Sequence, residues 1–244
     1  MMIAVIACEV MRYELEMLCS NMEKAPRLYF LRQGLHDTPK LLKKELQAKI
    51  DEVEDTAAEL THLVLGYGLC GQGLTGIQAK RCELVVPRVH DCIPLLLGSV
   101  EAHREEQTRE CGTYWFSPGW LTWSVIPYLD NRTVRLDRYV EKYGKDQADI
   151  LMQMEDGVLA NYNRACLIEW PELGEHYRGQ AADAASRSNL PLQTIKGSSQ
   201  YLTALLSESW DEDRFVRILP GQTLVQSMDD QTVMDAESAA ETAV

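Results

Sequence analysis

Short, unbroken apolar runs recur along the first half of the chain, and each stops abruptly at a cluster of polar, glycine or cysteine residues. Residues 3–7 stop at Cys8-Glu9, 27–31 at Gln33-Gly34-Leu35-His36-Asp37, and 61–65 at Gly66-Tyr67-Gly68-Leu69-Cys70-Gly71-Gln72-Gly73. Residues 83–86 stop at Pro87-Arg88-Val89-His90-Asp91-Cys92, and 113–116 at Ser117-Pro118-Gly119-Trp120. Runs of this length and β-branched content predict buried strands. Between them, apolar residues return at helical spacing, as in Leu15, Leu18 and Met22, or Leu41, Leu42, Leu46, Ile50 and Val53. Asp37 or Thr38 is the expected cap of that second helix, with Pro39 in its first turn.

Parallel neighbours need long crossovers, and strands buried on both faces read as continuous hydrophobic runs. The pattern therefore predicts an α/β protein: a mostly parallel, Rossmann-like sheet with helices on both faces, a helical bridge and a smaller second α/β lobe. The expected boundaries are 1–120 for the N-terminal lobe, 121–161 for the bridge, 162–225 for the C-terminal lobe and 226–244 for an acidic, disordered tail. In open α/β sheets, ligands bind outside the carboxyl ends of the strands, so the five polar clusters are the candidate site.

Composition narrows the choice of chemistry. With 24 Lys and Arg against 37 Asp and Glu, and five of the negative charges in the last 19 residues, the chain repels polyphosphate and anionic membranes. Nucleic acid and membrane are excluded as expected partners, and no apolar run approaches a bilayer span. Seven cysteines, an odd number, argue for reduced thiols and a cytoplasmic setting rather than a disulfide framework.

Those thiols and the imidazoles beside them carry the chemical argument. Cys8, His36, Cys70, His90 and Cys92 stand at the ends of four successive strand candidates, and thiolate with imidazole suits a soft or borderline metal. The expected metal ligands are Cys70, His90 and Cys92, with Cys8 as a fourth and a zinc or iron ion between them. Glu9 and Asp91 are candidates for general base or for orienting a histidine. Arg88, Tyr67, Ser117 and Trp120 are candidates for holding substrate. Cys19, Cys82, Cys111 and Cys166 read as packing residues, and His62, His103 and His176 as solvated ones. The glycine-rich segment fits neither a dinucleotide fingerprint nor a phosphate loop, and no nucleophile elbow is present.

Four segments carry a family resemblance: Ala7-Cys8-Glu9-Val10, Leu65-Gly66-Tyr67-Gly68-Leu69-Cys70-Gly71, Pro87-Arg88-Val89-His90-Asp91-Cys92-Ile93 with Leu97-Gly98-Ser99, and Gly112-Thr113-Tyr114-Trp115-Phe116-Ser117-Pro118-Gly119-Trp120. Together they resemble the uncharacterised family called domain of unknown function 1638, over about residues 3–219. Members of that family occur in archaea and in anaerobic or metabolically versatile bacteria, often beside genes for corrinoid-dependent methyltransferases. The resemblance implies a setting in one-carbon or methylamine metabolism and leaves the activity undefined.

Three expectations follow. The first is a metal-dependent protein acting on a small thiol or anionic substrate, in which the ion activates a thiol or water for methyl or sulfur transfer. The second is a non-catalytic accessory protein that binds a corrinoid, a corrinoid protein or a methyltransferase, with His36 or His90 as an axial imidazole. The third is a metal-free cysteine enzyme in which His90 activates Cys70.

Overall fold

The computed structural model describes residues 2–124, 132–229 and 232–238. Its strands are β1 (Met2–Cys8), β2 (Arg27–Leu31), β3 (Leu60–Gly66), β4 (Glu83–Pro87), β5 (Thr113–Phe116), β6 (Arg164–Glu169), β7 (Leu192–Lys196), β8 (Phe215–Ile218), β9 (Gln222–Gln226) and β10 (Met234–Ser238). The helices are α1 (Arg12–Ser20), α2 (Pro39–Thr56), α3 (Ile93–Leu97), α4 (Val100–Arg109), α5 (Pro118–Trp123), α6 (Arg132–Tyr143), α7 (Lys145–Leu159), α8 (His176–Arg187) and α9 (Gln200–Leu206). Thr38 caps α2 with Pro39 at its first position, as the sequence predicts, although its hydroxyl makes no capping bond. No described helix is long and apolar enough to cross a membrane.

The chain divides into two compact units, residues 1–101 with 198–244, and residues 102–197. In the first unit, β2, β1, β3 and β4 pair in that order, all parallel, and β8 closes the far edge antiparallel to β4. The hydrophobic runs explain this sheet: Ala4 to Ala7, Leu63 to Leu65 and Leu84 to Val86 are fully buried, as expected for strands covered on both faces. Helix α2 contributes Leu42, Leu46, Ile50 and Val53, all fully buried on one stripe. Each is worth roughly 1.5–3 kcal/mol of burial, so truncating Leu46 to Ala costs about 2–5 kcal/mol.

The second unit has its own parallel sheet, β5-β6-β7. Phe116, Ala165 and Leu167 pack there against Ala181, Ala184 and Ala185 of α8. The interior cation Arg164 is answered by Glu106 at 2.9 Å, Thr113 at 2.8 Å and Gln193.

Two expectations on organisation are corrected. The fifth strand, β5, pairs with β6 in the second sheet, so the division falls at 101/102 rather than after residue 120, and the chain returns to the first sheet through β8. Within the stretch from 226, expected to be a disordered tail, Met234–Ser238 form β10 and pair antiparallel with β9, while residues 230, 231 and 239–244 lie outside the described ones. Met234 and Val233 are buried in that hairpin, and this apolar content outweighs the acidic composition.

Candidate functional site

From β1 the chain crosses to β2 on one side, then returns across β1 to β3 on the other. The carboxyl ends of β1 and β3 therefore flank the point where the strand order reverses, the usual position of a ligand crevice in such sheets. Cys8 is the last residue of β1, Tyr67 follows β3 directly, and the loop after β4 carries His90, Asp91 and Cys92.

Backbone contacts lock these loops together. Beyond the strands, Leu69 N–H donates to the Val89 carbonyl and Cys70 N–H to the His90 carbonyl, both at 2.9 Å. Gly68 lies so close to the neighbouring loop that a Cβ there would stand 2.6 Å from the Asp91 backbone. Only glycine fits. Cys70 and Gln72 then take left-handed backbone angles, φ 47° and 71°, and the Gly73 N–H closes the turn on the Cys70 carbonyl at 3.2 Å. A non-glycine residue in that region is strained, and such strain gathers at functional sites.

The result is a cluster of three thiols from three adjacent strand ends. Cys8 is buried, while Cys70 and Cys92 are partly open to solvent. Burial pushes the Cys8 thiol up to about 11, with the nearby Glu9 carboxylate adding to the effect. Burial pushes Cys70 up to about 12, and negative charge on Cys8 or Asp91 raises it further. Cys92 is also raised well above a free thiol, by burial and then by Cys70, Cys8 and Asp91. Each sulfur anion makes the next more costly, which places the three within charge range of one another. Opposing this, backbone N–H groups of Val10 and Gly68 favour the charged forms of Cys8 and Cys70.

Tyr67 completes the cluster. It is 3% exposed, and its hydroxyl has no hydrogen-bond partner among the described residues. Its phenol is held strongly protonated, by burial first and then by Cys8, Cys70, Cys92 and Glu45. Glu45, on α2, is a neighbour the sequence did not single out. Its carboxylate lies 3.6 Å from Arg32.

The other expected site residues are placed differently. The His90 side chain is exposed, and the contact that ties this residue to the cluster is its carbonyl. Among the described residues, no three His, Cys, Asp or Glu side chains stand so that they hold a metal ion as they are. Asp91 Oδ1 accepts from the Ile93 N–H at 2.8 Å, which orients the loop at the start of α3. Glu9 pairs with Arg12 at 3.2 Å, and the Arg12 guanidinium lies 4.2 Å from the Phe30 ring centroid. His36 lies 3.3 Å from its neighbour Asp37.

Arg88, expected to hold substrate, is a structural clamp. Its guanidinium donates to the carbonyls of Glu212 at 2.9 Å, Thr232 at 3.1 Å and Met234, and faces Asp235 at 3.7 Å. Ser117 and Trp120 belong to the second unit, where the Ser117 hydroxyl accepts from the Trp120 N–H at 3.1 Å and caps α5. Cys82 and Cys166 are buried packing residues as expected, whereas Cys111 is exposed. His103, expected in solvent, is buried beside the Trp115 ring at 6.0 Å.

Two buried carboxyls were missed. Glu54 accepts backbone N–H bonds from Lys80, Arg81 and Cys82 at 2.7–3.2 Å. Glu14 is fully buried, with neither oxygen partnered among the described residues. Each sits beside the apolar stripe of its helix, Glu54 next to Val53 and Glu14 next to Leu15, and that misplacement is the signal the sequence held.

No curated protein and no solved structure gives a significant match to the chain. A family model does match, over residues 30–206, a span narrower than that of the resembling motifs; it takes in Tyr67, Cys70 and Cys92, while Cys8 precedes it. The chain belongs to the family described as "Protein of unknown function (DUF1638)".

Proposed function

We propose that the protein binds a soft transition-metal ion, zinc or iron, through the thiolates of Cys8, Cys70 and Cys92, and acts there on a small thiol or anionic substrate. The observation that carries this reading is the convergence of three thiols from three adjacent strand ends at the switch point of the sheet. Three sulfurs are a soft donor set; burial keeps them protonated, with charge repulsion adding to it at Cys70 and Cys92, and a cation between them offsets both. The N–H groups of Val10 and Gly68 support thiolate character in the same way.

Because no trio among the described residues stands ready to coordinate, binding requires the thiols to lose their protons and turn onto the ion. In this account Cys8, the last residue of β1, is the anchor, and Cys70 and Cys92, on the loops after β3 and β4, are the thiols that turn. When bound, the ion lowers the pKa of a thiol or water beside it, chemistry that suits methyl or sulfur transfer.

Raised thiol pKa values disfavour a metal-free cysteine nucleophile, since Cys70 at about 12 is almost wholly protonated at neutral pH. The test is anaerobic purification followed by zinc or cobalt(II) titration and elemental analysis. One equivalent is expected in the wild type, with loss in Cys70→Ser and Cys92→Ser. A wild-type protein that takes up no metal overturns the proposal.

A further inference from the structure

Helices α6 and α7 form an antiparallel hairpin that turns at Gly144. Arg132, at the start of α6, donates to Asp156 near the end of α7 at 3.0 Å, and Arg135 pairs with Glu155 at 3.1 Å. Ala148 and Met152 of α7 are buried, whereas α6 buries no residue. At about 100° per residue, Ile150, Met154 and Val158 fall on another side of α7, one turn apart, as a single stripe. They are 58%, 64% and 54% exposed. Single exposed apolar residues are ordinary, but three in register on one helix face mark an interaction surface. Gly157 borders the stripe, and a Cβ there would meet nothing within 4 Å. Glycine inside a helix is destabilising relative to alanine, and no described neighbour requires it here; the close approach of a second helix does.

The charges beside the stripe identify what covers it. The Arg135–Glu155 pair stands at one margin, and from Arg135 a basic row continues along α6 through Arg138 and Lys142, both exposed. The other margin, on α7, carries Asp146 and Asp149, also exposed. Both rows lie toward the Gly144 end of the hairpin. A basic row, an apolar stripe and an acidic row make a surface that complements itself. A two-fold axis parallel to the helices lays stripe on stripe and brings each acidic row to the side of the other copy's basic row, whereas a two-fold across the helices sets like against like. We propose that α7 is a dimer interface, packed in parallel against α7 of a second copy of this chain. The contact is independent of the thiol cluster and of any ion held there.

The test is sedimentation equilibrium and light scattering on the full-length protein, kept reduced with a phosphine so that exposed Cys111 forms no crosslink. The wild type is expected to be a dimer at about 100 µM and to dissociate on dilution, because one helical stripe is a small interface. Ile150→Glu with Met154→Glu is expected to give a monomer at every concentration with an unchanged melting temperature, since both side chains are exposed in a single copy. Arg138→Glu with Lys142→Glu is expected to weaken the dimer about tenfold, and adding Asp146→Lys and Asp149→Lys to restore it. A wild type that stays monomeric overturns the proposal, whatever else covers the stripe. So does a dimer that keeps its affinity in the Ile150→Glu, Met154→Glu protein, because it then uses another face. A charge reversal that the compensating pair does not restore overturns the parallel arrangement.

Discussion

The backbone N–H of Cys70 donates to the carbonyl of His90 at 2.9 Å, continuing the alignment of β3 and β4 beyond the last paired strand residues. This bond joins the glycine-rich loop to the His-Asp-Cys loop. With it in place, Cys70 and Cys92 share one end of the sheet with Cys8, although Cys8 and Cys70 stand 62 positions apart in the chain.

Loop geometry makes the first prediction. Gly68→Ala forces a Cβ into the Asp91 backbone and is expected to cost about 1–3 kcal/mol, and to abolish metal uptake by parting the two loops. Exposed Gln72, at φ 71°, behaves oppositely: Gln72→Gly is expected to stabilise by about 1 kcal/mol. Urea denaturation of both variants checks the pair, and a destabilised Gln72→Gly removes the strain argument.

Proton release is the second. Cys8 and Cys70 ionise at about 11 and about 12, and Cys92 is also raised, so all three are protonated near neutrality. An ion that binds three thiolates must displace three protons. Affinity then rises with pH, by roughly a thousandfold per unit between pH 6.5 and 7.5. Zinc competition titrations and proton release in weak buffer measure this, and release of fewer than two protons is incompatible with a three-thiolate site.

Glu54 gives the third. Burial opposes its ionisation, but the N–H groups of Lys80, Cys82 and Arg81 outweigh it and hold the carboxyl below its ordinary value. A depressed carboxyl contributes stability that is present above its unfolded pKa and lost as pH falls through the folded one. Glu54→Gln is therefore expected to lose about 1–3 kcal/mol at pH 7, with the gap narrowing below about pH 4. Denaturation midpoints at pH 7 and pH 3 decide it, and an equal loss at both pH values rejects the charge-assisted role.

Glu14 has the opposite sign. Burial pushes its carboxyl up to about 8, so the folded protein holds a proton that the unfolded chain has released. The stability linked to that proton is full below the unfolded pKa and declines between about 4.5 and 8, at about 1.4 kcal/mol per pH unit. Glu14→Gln is expected to be near neutral at pH 4 and more stable than wild type at pH 8. A pH-independent difference between the two proteins contradicts this.

The apolar runs alone determined the α/β class and the strands from β1 to β5; for β1, β3 and β4 the reason is that a strand buried on both faces must be hydrophobic at consecutive positions. They also placed Cys8, Cys70 and Cys92 at strand ends, where chain chemistry changes from apolar to polar. Which strands are neighbours was not local information. β5 carries the same pattern as β4 yet pairs with β6, and Arg88 reads like a substrate cation until the β9-β10 carbonyls capture it. Pairing partners and hydrogen-bond acceptors lie scores of residues away in sequence, so only the folded chain decides them. By the same physics it gathers three cysteines at the β1-β3-β4 end and buries the Tyr67 hydroxyl there with no partner among the described residues.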